Sequence, residues 1–322
     1  VTTYAWVIGA RGLLGSATSA AIGRRNGWVL LPAEPLPWAD DDALVASATA
    51  TAEQLLRTAA TDSADWVVLW LAGNAVTSTP PPAIAQELHQ LRLVLDAVGT
   101  TAGAHGTAAR GAVFYASSAG GVYGGSEHPP FDETSTPVPI SGYGRFKLDA
   151  EASLFDFSRA SGVSVLAGRI ANLYGPGQKL GKMQGLISHL AKAQFSPRPA
   201  SIFVPLETMR DYIFVRDCAE LVVDCVDRLH AVTAAEGRTE VVKNLASGQA
   251  VTISNLLGHI RSLAKGKPNV MLGYSAEASM QGLDLRITST VWPDLDQRQL
   301  TSLPAGIKAT MDDVLAHIQS GG

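Results

Sequence analysis

Short apolar runs alternate with stretches of helical composition through the first half of the chain, and this alternation limits the fold more than any other feature. Runs at 4–8, 28–31, 66–72, 112–116 and 163–170 read as strands, with helices expected at 13–25, 52–60, 83–98 and 143–160. Strands separated by helices must be joined by crossovers, which gives parallel βαβ units. The expected fold class is α/β, a doubly wound parallel sheet with a smaller C-terminal substrate lobe. Sheets of this kind collect ligands beyond the carboxyl ends of their strands. The residues just after each run are therefore where chemistry is expected.

After about residue 173 the pattern becomes irregular. The expected division is a dinucleotide-binding domain at 1–172, with 209–232 returning to it, and a substrate lobe at 173–208 and 240–322. Of the 322 residues, 46% are hydrophobic and 17% charged, which suits a large core and argues against disorder. A net charge of −4 offers no cationic footprint for nucleic acid or an anionic membrane. Two cysteines, Cys218 and Cys225, and seven scattered histidines make neither a disulfide framework nor a metal site, so no metal is expected. The chain opens directly into a strand, and its longest apolar run, Trp66 to Ala72, is too short to span a bilayer. A cytoplasmic location is the expectation.

The segment Gly9-Ala10-Arg11-Gly12-Leu13-Leu14-Gly15 follows the first strand and opens a helix. Gly9 suits the tight turn, Gly12 admits a pyrophosphate close to the backbone, and Gly15 lets the helix pack on the sheet. The positive end of the helix dipole adds to the attraction for phosphate. The spacing is GxxGxxG rather than GxGxxG, so position after a strand carries more weight than the glycines alone. An acid closing the second strand would select NAD, yet Glu34 is the nearest one. Arg11 inside the turn, with Arg24 and Arg25 beyond the helix, suits a 2′-phosphate. The cofactor expected is NAD or NADP, with NADP slightly favoured.

Tyr143 and Lys147 stand four residues apart, on one face of an expected helix. A free phenol titrates near ~10 and is a poor base at neutral pH. A neighbouring ammonium and a cationic nicotinamide ring each favour phenolate, so Tyr143 is expected to be lowered toward the useful range. The strand Gly111–Ala116 leads into Ser117 and Ser118, whose hydroxyls are placed to hold a substrate oxygen.

Taken in order, Gly9-x-x-Gly12-x-x-Gly15, Ser-Ser-x-x-x-Val122-Tyr123-Gly124 and Tyr143-x-x-x-Lys147 resemble the extended short-chain dehydrogenases/reductases. The nearer likeness is to their nucleotide-sugar epimerase/dehydratase branch, with its Rossmann-like fold. The resemblance continues through Gly168-Arg169-Ile170-Ala171-Asn172-Leu173-Tyr174-Gly175-Pro176-Gly177, Met209-Arg210-Asp211-Tyr212 and Asn244-Leu245-Ala246-Ser247-Gly248. It implies a catalytic set of Ser118, Tyr143 and Lys147, with Ser117 kept open as the alternative hydroxyl. For the cofactor it implies Gly9, Arg11, Gly12, Leu13, Leu14, Gly15, Ala72, Gly73, Ser117, Tyr143, Lys147 and Ile170. For the substrate it implies Ser118, Asn172 and Arg210, the last two on a nucleotide diphosphate; an ion pair of Arg210 with Asp211 or Glu207 is the competing role.

Two departures stand out. The family's histidine after the fourth strand is Trp70, and the Asp-Leu that closes its third strand has no counterpart between 43 and 60. The acid pair with which dehydratases expel water is also missing after Ser118, while Asp132 and Glu133 read as solvated turn acids. The resulting expectation is an NAD(P)-dependent epimerase acting on a nucleotide sugar. A reductase of a keto-sugar or other small carbonyl is the alternative, and a non-catalytic dinucleotide-binding protein comes last. The small-molecule substrate is the main partner, and a homodimer through helices 83–98 and 143–160 is implied.

Overall fold

The computed structural model of the chain describes residues 1–178, 185–264, 269–273 and 282–320. Its contacts divide the chain into two units: 1–118, 142–169 and 219–243, and then 119–141, 170–218 and 244–322.

The first unit is built from β1 (Thr3–Ile8), α1 (Leu13–Ile22), β2 (Trp28–Leu30), α2 (Asp41–Thr61), β3 (Asp65–Trp70), α3 (Pro81–His105), β4 (Gly111–Ser118), α5 (Gly142–Ser161) and β5 (Ser164–Ile170). Most of α7 (Val215–Glu236) and the start of β9 (Glu240–Leu245) also belong to it. The strands form a six-stranded parallel sheet in the order β2-β1-β3-β4-β5-β9. β1 runs parallel to both β2 and β3, pairing Thr3 with Trp28 and with Asp65. Nearly unbroken apolar sequence in β3 and β4 matches their burial on both faces, as expected of strands inside a parallel sheet.

Leu44, Ala48, Ala52, Leu55, Leu56 and Ala59 recur every three or four residues and are buried, so α2 packs as one continuous helix. Asp40 caps it by accepting the Ala43 N–H at 2.8 Å. This explains the absent Asp-Leu. The chain passes from β2 through an irregular stretch, 31–40, straight into α2, and no strand lies between them. β2 is the edge of the sheet for the same reason.

The second unit contains α4 (Ala119–Val122), β6 (Asn172–Tyr174), α6 (Leu186–Gln194), β7 (Ala200–Ile202), β8 (Met209–Phe214), β10 (Ala250–Thr252), α8 (Ile253–Ala264), β11 (Val270–Leu272), β12 (Asp284–Leu285), α9 (Pro293–Asp296) and α10 (Leu303–Gln319). A small sheet, β10-β8-β12 with β6 also on β8, is its frame, and β7 pairs with β11. Its core joins Tyr174, Ile187, Leu190, Phe214, Leu256, Ile260 and Ile307.

The segments that return to the large sheet differ from the expected ones. Residues 209–214 form β8 of the small sheet, and β9, within the stretch assigned to the lobe, supplies the sixth strand of the large one. The segment 209–215, apolar from Tyr212 onward, has strand character in either sheet, so composition alone does not choose its partner. Segment 119–141, which directly follows β4 in sequence, belongs to the second unit.

Candidate active site

The glycine turn closes as a tight knot. Gly9 has φ +91°, and a Cβ there would sit 2.6 Å from Ala72 N, inside the backbone that follows β3. A Cβ on Gly15 would come 2.1 Å from Gly9 O, so only glycine lets α1 start so close to the strand. Gly12 N donates to Gly9 O at 2.8 Å, and the first bond inside the helix runs from Ser16 N to Gly12 O at 2.9 Å. The amides of Leu13, Leu14 and Gly15 precede that bond and form the donor end of α1. This cradle fits a pyrophosphate.

Arg11 is exposed in the turn. Arg24 and Arg25 do not join it: Arg24 pairs with Glu220 at 2.8 Å, and Arg25 with Asp224 and Asp227 at 2.7 and 2.6 Å. Acids on α7 pair with both, and the two arginine side chains stay partly exposed.

β4 ends in the two serines, and they divide their work. The buried Ser117 donates its hydroxyl to Glu151 Oε1 at 2.5 Å. Glu151 in turn accepts from Arg169 Nη2 at 2.7 Å and Nε at 3.1 Å, a buried two-pronged pair. Ser117 is therefore part of the scaffold, and only its backbone remains for a ligand. Ser118, half-buried at the strand end, is bonded to the Tyr143 hydroxyl. Of the two hydroxyls, that of Ser118 is the one beside Tyr143, and that of Ser117 is turned to Glu151.

Lys147 lies one turn along α5 from Tyr143 and is buried. Its Nζ donates to Tyr115 Oη at 3.1 Å and to Ala116 O at 3.0 Å. It also stands 4.8, 5.6 and 5.3 Å from the ring centres of Tyr115, Tyr143 and Phe146. Burial lowers its pKa to about 8, against the pull of Glu87 and Glu151 toward the charged form. Burial pushes Tyr143 up to about 12; the Ser118 hydrogen bond works the other way, and Glu87 adds to the rise. The expected lowering of Tyr143 by its lysine is thus reversed in the protein alone. The desolvation of a phenolate outweighs the hydrogen bond that favours it.

Trp70, in place of the family's histidine, is buried at the end of β3 and meets Trp38 edge-on, with centroids 5.9 Å apart. Ala72 walls the Gly9 turn, and Gly73 lies exposed beside Glu87. Ile170 closes β5 and is buried. Sequence reasoning missed Glu87 and Glu151. Glu151 lies four residues beyond Lys147, and that helical spacing was a usable signal. Glu87 sits on a different helix, α3, and nothing local marks it.

In the second unit, Asn172 is exposed on β6 and donates Nδ2 to Asp211 O at 2.8 Å. Arg210 is buried on β8 and donates Nη1 to the carbonyls of Met209 and Leu283, at 2.9 and 3.5 Å. Among the described residues neither Asp211 nor Glu207 pairs with it; Asp211 binds Ser247 instead. Burial lowers the Arg210 pKa, against the pull of Tyr212 and Asp284 toward the charged form. Asp132 is a turn acid, as expected, whereas Glu133 is not. Glu133 accepts from Asn244 N, Ser289 Oγ, Thr290 N and Thr290 Oγ1, tying three segments of the unit together. Asp132 accepts from Thr134 and Ser135, which holds its carboxyl below the usual range.

Comparison with known proteins bears on the family and the fold. Residues 5–237 match the family model described as the NAD dependent epimerase/dehydratase family. The chain is 29% identical over 145 residues to dTDP-4-dehydro-6-deoxyglucose reductase of Escherichia coli, covering 45% of this chain and 43% of that protein. It is 29% identical over 180 residues to UDP-glucose 4-epimerase of Rhizobium meliloti, covering 50% and 51%. The chain thus spans about half the length of the curated relatives it matches.

Among solved structures, UDP-glucose 4-epimerase of Thermotoga maritima with UDP-glucose superposes with a TM-score of 0.75 at 20% identity, over 98% of this chain and 100% of that one. RMD from Pseudomonas aeruginosa complexed with NADPH gives 0.76 at 21%, over 98% and 100%. At these identities the structures establish a shared fold, and the match of the family model over more than half of its length makes this chain a member of the NAD dependent epimerase/dehydratase family.

Proposed function

We propose that the protein is an NAD(P)-dependent epimerase that inverts a carbon of a nucleotide sugar through a transient keto intermediate. The observation that carries this is the Ser118–Tyr143 hydrogen bond at the end of β4, with Lys147 fixed one turn further along the same helix. Gly9, Gly12 and Gly15, with the amides of Leu13 and Leu14, would hold the pyrophosphate of the cofactor. Ala72, Gly73, Ile170, Lys147 and the backbone of Ser117 would line the rest. When bound, the oxidised nicotinamide supplies a two-electron acceptor and a positive charge that favours phenolate.

Tyr143 takes the proton of the sugar hydroxyl and later returns it, while Ser118 holds the same oxygen. Lys147 fixes the strand end through Ala116 O and keeps a positive charge near the phenol. Asn172 and Arg210 are assigned to the nucleotide diphosphate. Relatives named UDP-glucose 4-epimerase make UDP-glucose the first probe. Tyr143→Phe is expected to keep nucleotide-sugar binding and lose roughly 10²–10⁴-fold in turnover. Unchanged turnover in that variant overturns the mechanism.

One observation favours reduction of a keto-sugar as a second reading. A phenol pushed up to about 12 holds its proton at neutral pH and is a ready donor to a carbonyl oxygen. A stoichiometric cofactor retained through dialysis supports epimerisation; steady consumption of added NADPH supports reduction. Arg11 is the remaining argument for NADP over NAD. Half-buried Leu148 and Phe155, with exposed Ala152, give α5 an outward apolar side, and we assign it to a homodimer contact with α3. Light scattering that shows a monomer at micromolar concentration counts against it. No described helix is long and apolar enough to cross a membrane, and a chain with two cysteines, both buried, suits a reducing, cytoplasmic home.

A further inference from the structure

We infer that Trp38 is the platform on which the adenine ring of the cofactor stacks. The inference rests on the proposed reading of the glycine turn and the Tyr143–Lys147 pair as two stations along one bound dinucleotide. Its first step is topological, and every residue it uses belongs to the first unit. From β1 the chain moves outward to β2, and from β3 it moves the other way through β4 to β5. The order reverses between β1 and β3, and the glycine turn follows β1 at that point. A dinucleotide lies across such a reversal with its pyrophosphate on the turn. The helix that carries Tyr143 and Lys147 is bonded to the end of β4, from Lys147 Nζ to Ala116 O at 3.0 Å. The nicotinamide half therefore takes the β4 side, and the adenosine half is left with the side of β2.

On that side the chain runs from β2 to α2 through residues 31–40, with no strand between them. Leu31 and Leu36 are buried and anchor the segment. Trp38 keeps 36% of its surface exposed, whereas Trp6, Trp66 and Trp70 of the same unit keep at most 3%. Its ring touches that of Trp70, with centroids 5.9 Å apart. Trp70 closes β3 in register with Ile8, the residue before Gly9, and two residues later Ala72 N would meet a Cβ on Gly9 at 2.6 Å. One ring contact thus separates Trp38 from the strand end that walls the glycine turn. The main chain around it is held by α3. Gln90 Nε2 donates to Trp38 O at 2.7 Å, and His89 Nε2 lies 2.9 Å from Asp41 Oδ2. Asp40, the cap of α2, fixes the other side. Ordering a loop on a ligand costs entropy, and here most of that ordering is done in advance. A broad ring, partly in water on a fixed backbone, suits the face of a purine. A mere cover for Trp70 would act on stability and on every ligand alike. A stacking platform acts only on ligands that carry adenine.

The test uses the full protein and measures binding without turnover. Trp38→Ala is expected to weaken NADH by about 5- to 100-fold, the range of one base–aromatic stack. Reduced nicotinamide mononucleotide, which has the reacting ring and no adenosine, should bind the variant and the wild type alike. Trp38→Phe keeps an aromatic face and should stay close to the wild type for both ligands. Indole emission gives a second readout. ADP-ribose, which has adenosine and no nicotinamide, should quench the wild type, and the larger part of that quench should be missing from Trp38→Phe. Unchanged NADH affinity in Trp38→Ala overturns the inference. An equal loss for NADH and the mononucleotide overturns it too, since that would trace the effect to a collapsed turn. A quench undiminished in Trp38→Phe places adenine elsewhere. If NADH binds but UDP-glucose and every other sugar nucleotide fail to react, the proposed function fails while these titrations still decide the role of Trp38. If the wild type binds no dinucleotide, both fall.

Discussion

At the amino ends of its strands the large sheet is closed by opposite charges in contact, whereas at the carboxyl ends its buried lysine touches only neutral oxygens and aromatic rings. Near the start of β2, Arg25 reaches Asp224 and Asp227, and Trp28 donates its indole N–H to Asp227 at 3.0 Å. Arg24 pairs with Glu220 close by. Beyond β4, Lys147 has Tyr115 Oη and Ala116 O, and among the described residues no carboxylate within hydrogen-bond distance. Arg169, buried in the adjacent strand, has its own acid. Charges that only support the fold are neutralised pairwise. Lys147, whose hydrogen bonds among the described residues go to neutral oxygens, lies where ligands bind in sheets of this topology.

The largest expected effect tests that contrast at Lys147. Replacing it with methionine removes a desolvated cation and keeps most of the volume, so stability should hold or rise. Turnover should nevertheless fall by roughly 10²–10⁴, the range set by loss of efficient proton transfer. Urea melts and kcat on one preparation separate the two. A variant that unfolds and a variant that keeps full activity each break the comparison. In the wild type, a lysine lowered to about 8 is charged below that pH and neutral above it. Turnover should therefore decline as pH rises through about 8.

Glu151→Ala probes the paired case. It strands the Arg169 guanidinium in the interior and removes the acceptor of Ser117. Breaking a buried pair from one side costs about 3–5 kcal/mol, read as a lower urea midpoint. A loss below about 1 kcal/mol would mean that water reaches the guanidinium, and the distinction between scaffold and site would weaken.

His230 lies between these extremes. It is half-buried near Asp65 and Asp227, its Nε2 is shut off from solvent with no partner among the described residues, and desolvation lowers its pKa. The unfolded chain then binds a proton at His230 before the folded one does. This contribution to stability is complete above about 6.5 and is lost as pH falls below it. The melting temperature should drop between pH 7 and 5, and His230→Phe should flatten part of that drop. An identical acid slope in the variant would assign the loss to other groups.

These contrasts also show what the sequence could and could not disclose. The alternation of strands and helices predicted the sheet because a buried parallel strand is apolar along most of its length, as β3 and β4 are. Tyr143 and Lys147 were legible because one helix carries both. Glu87 was not, since its relation to them exists only when α3 and α5 pack on the same face of the sheet. The direction of the Tyr143 shift was hidden for a related reason. Spacing reports a neighbouring charge, whereas desolvation depends on everything else that closes around the phenol. The identity of β9 as the sixth strand was equally non-local, because its pairing partner, β5, lies some 75 residues earlier in the chain, as the Val165–Thr239 backbone bond illustrates.

The smallest effect is expected at Arg24, and it sharpens the comparison by showing that pairing alone is not stability. The Arg24–Glu220 contact of 2.8 Å is as short as that of Arg169 with Glu151, yet the two side chains are 63% and 39% exposed. Water screens their attraction, and ordering two long side chains costs entropy. Arg24→Ala should therefore change stability by less than about 1 kcal/mol, and the difference should shrink further in 0.5 M salt as screening grows. Arg24 is also one of the two cations that pair with acids of α7. If it took part in binding a 2′-phosphate despite that pairing, the variant would lose affinity for NADPH and keep its affinity for NADH. Equal retention of both, measured by fluorescence titration, places Arg24 wholly on the scaffold side and leaves Arg11 as the cation to test next.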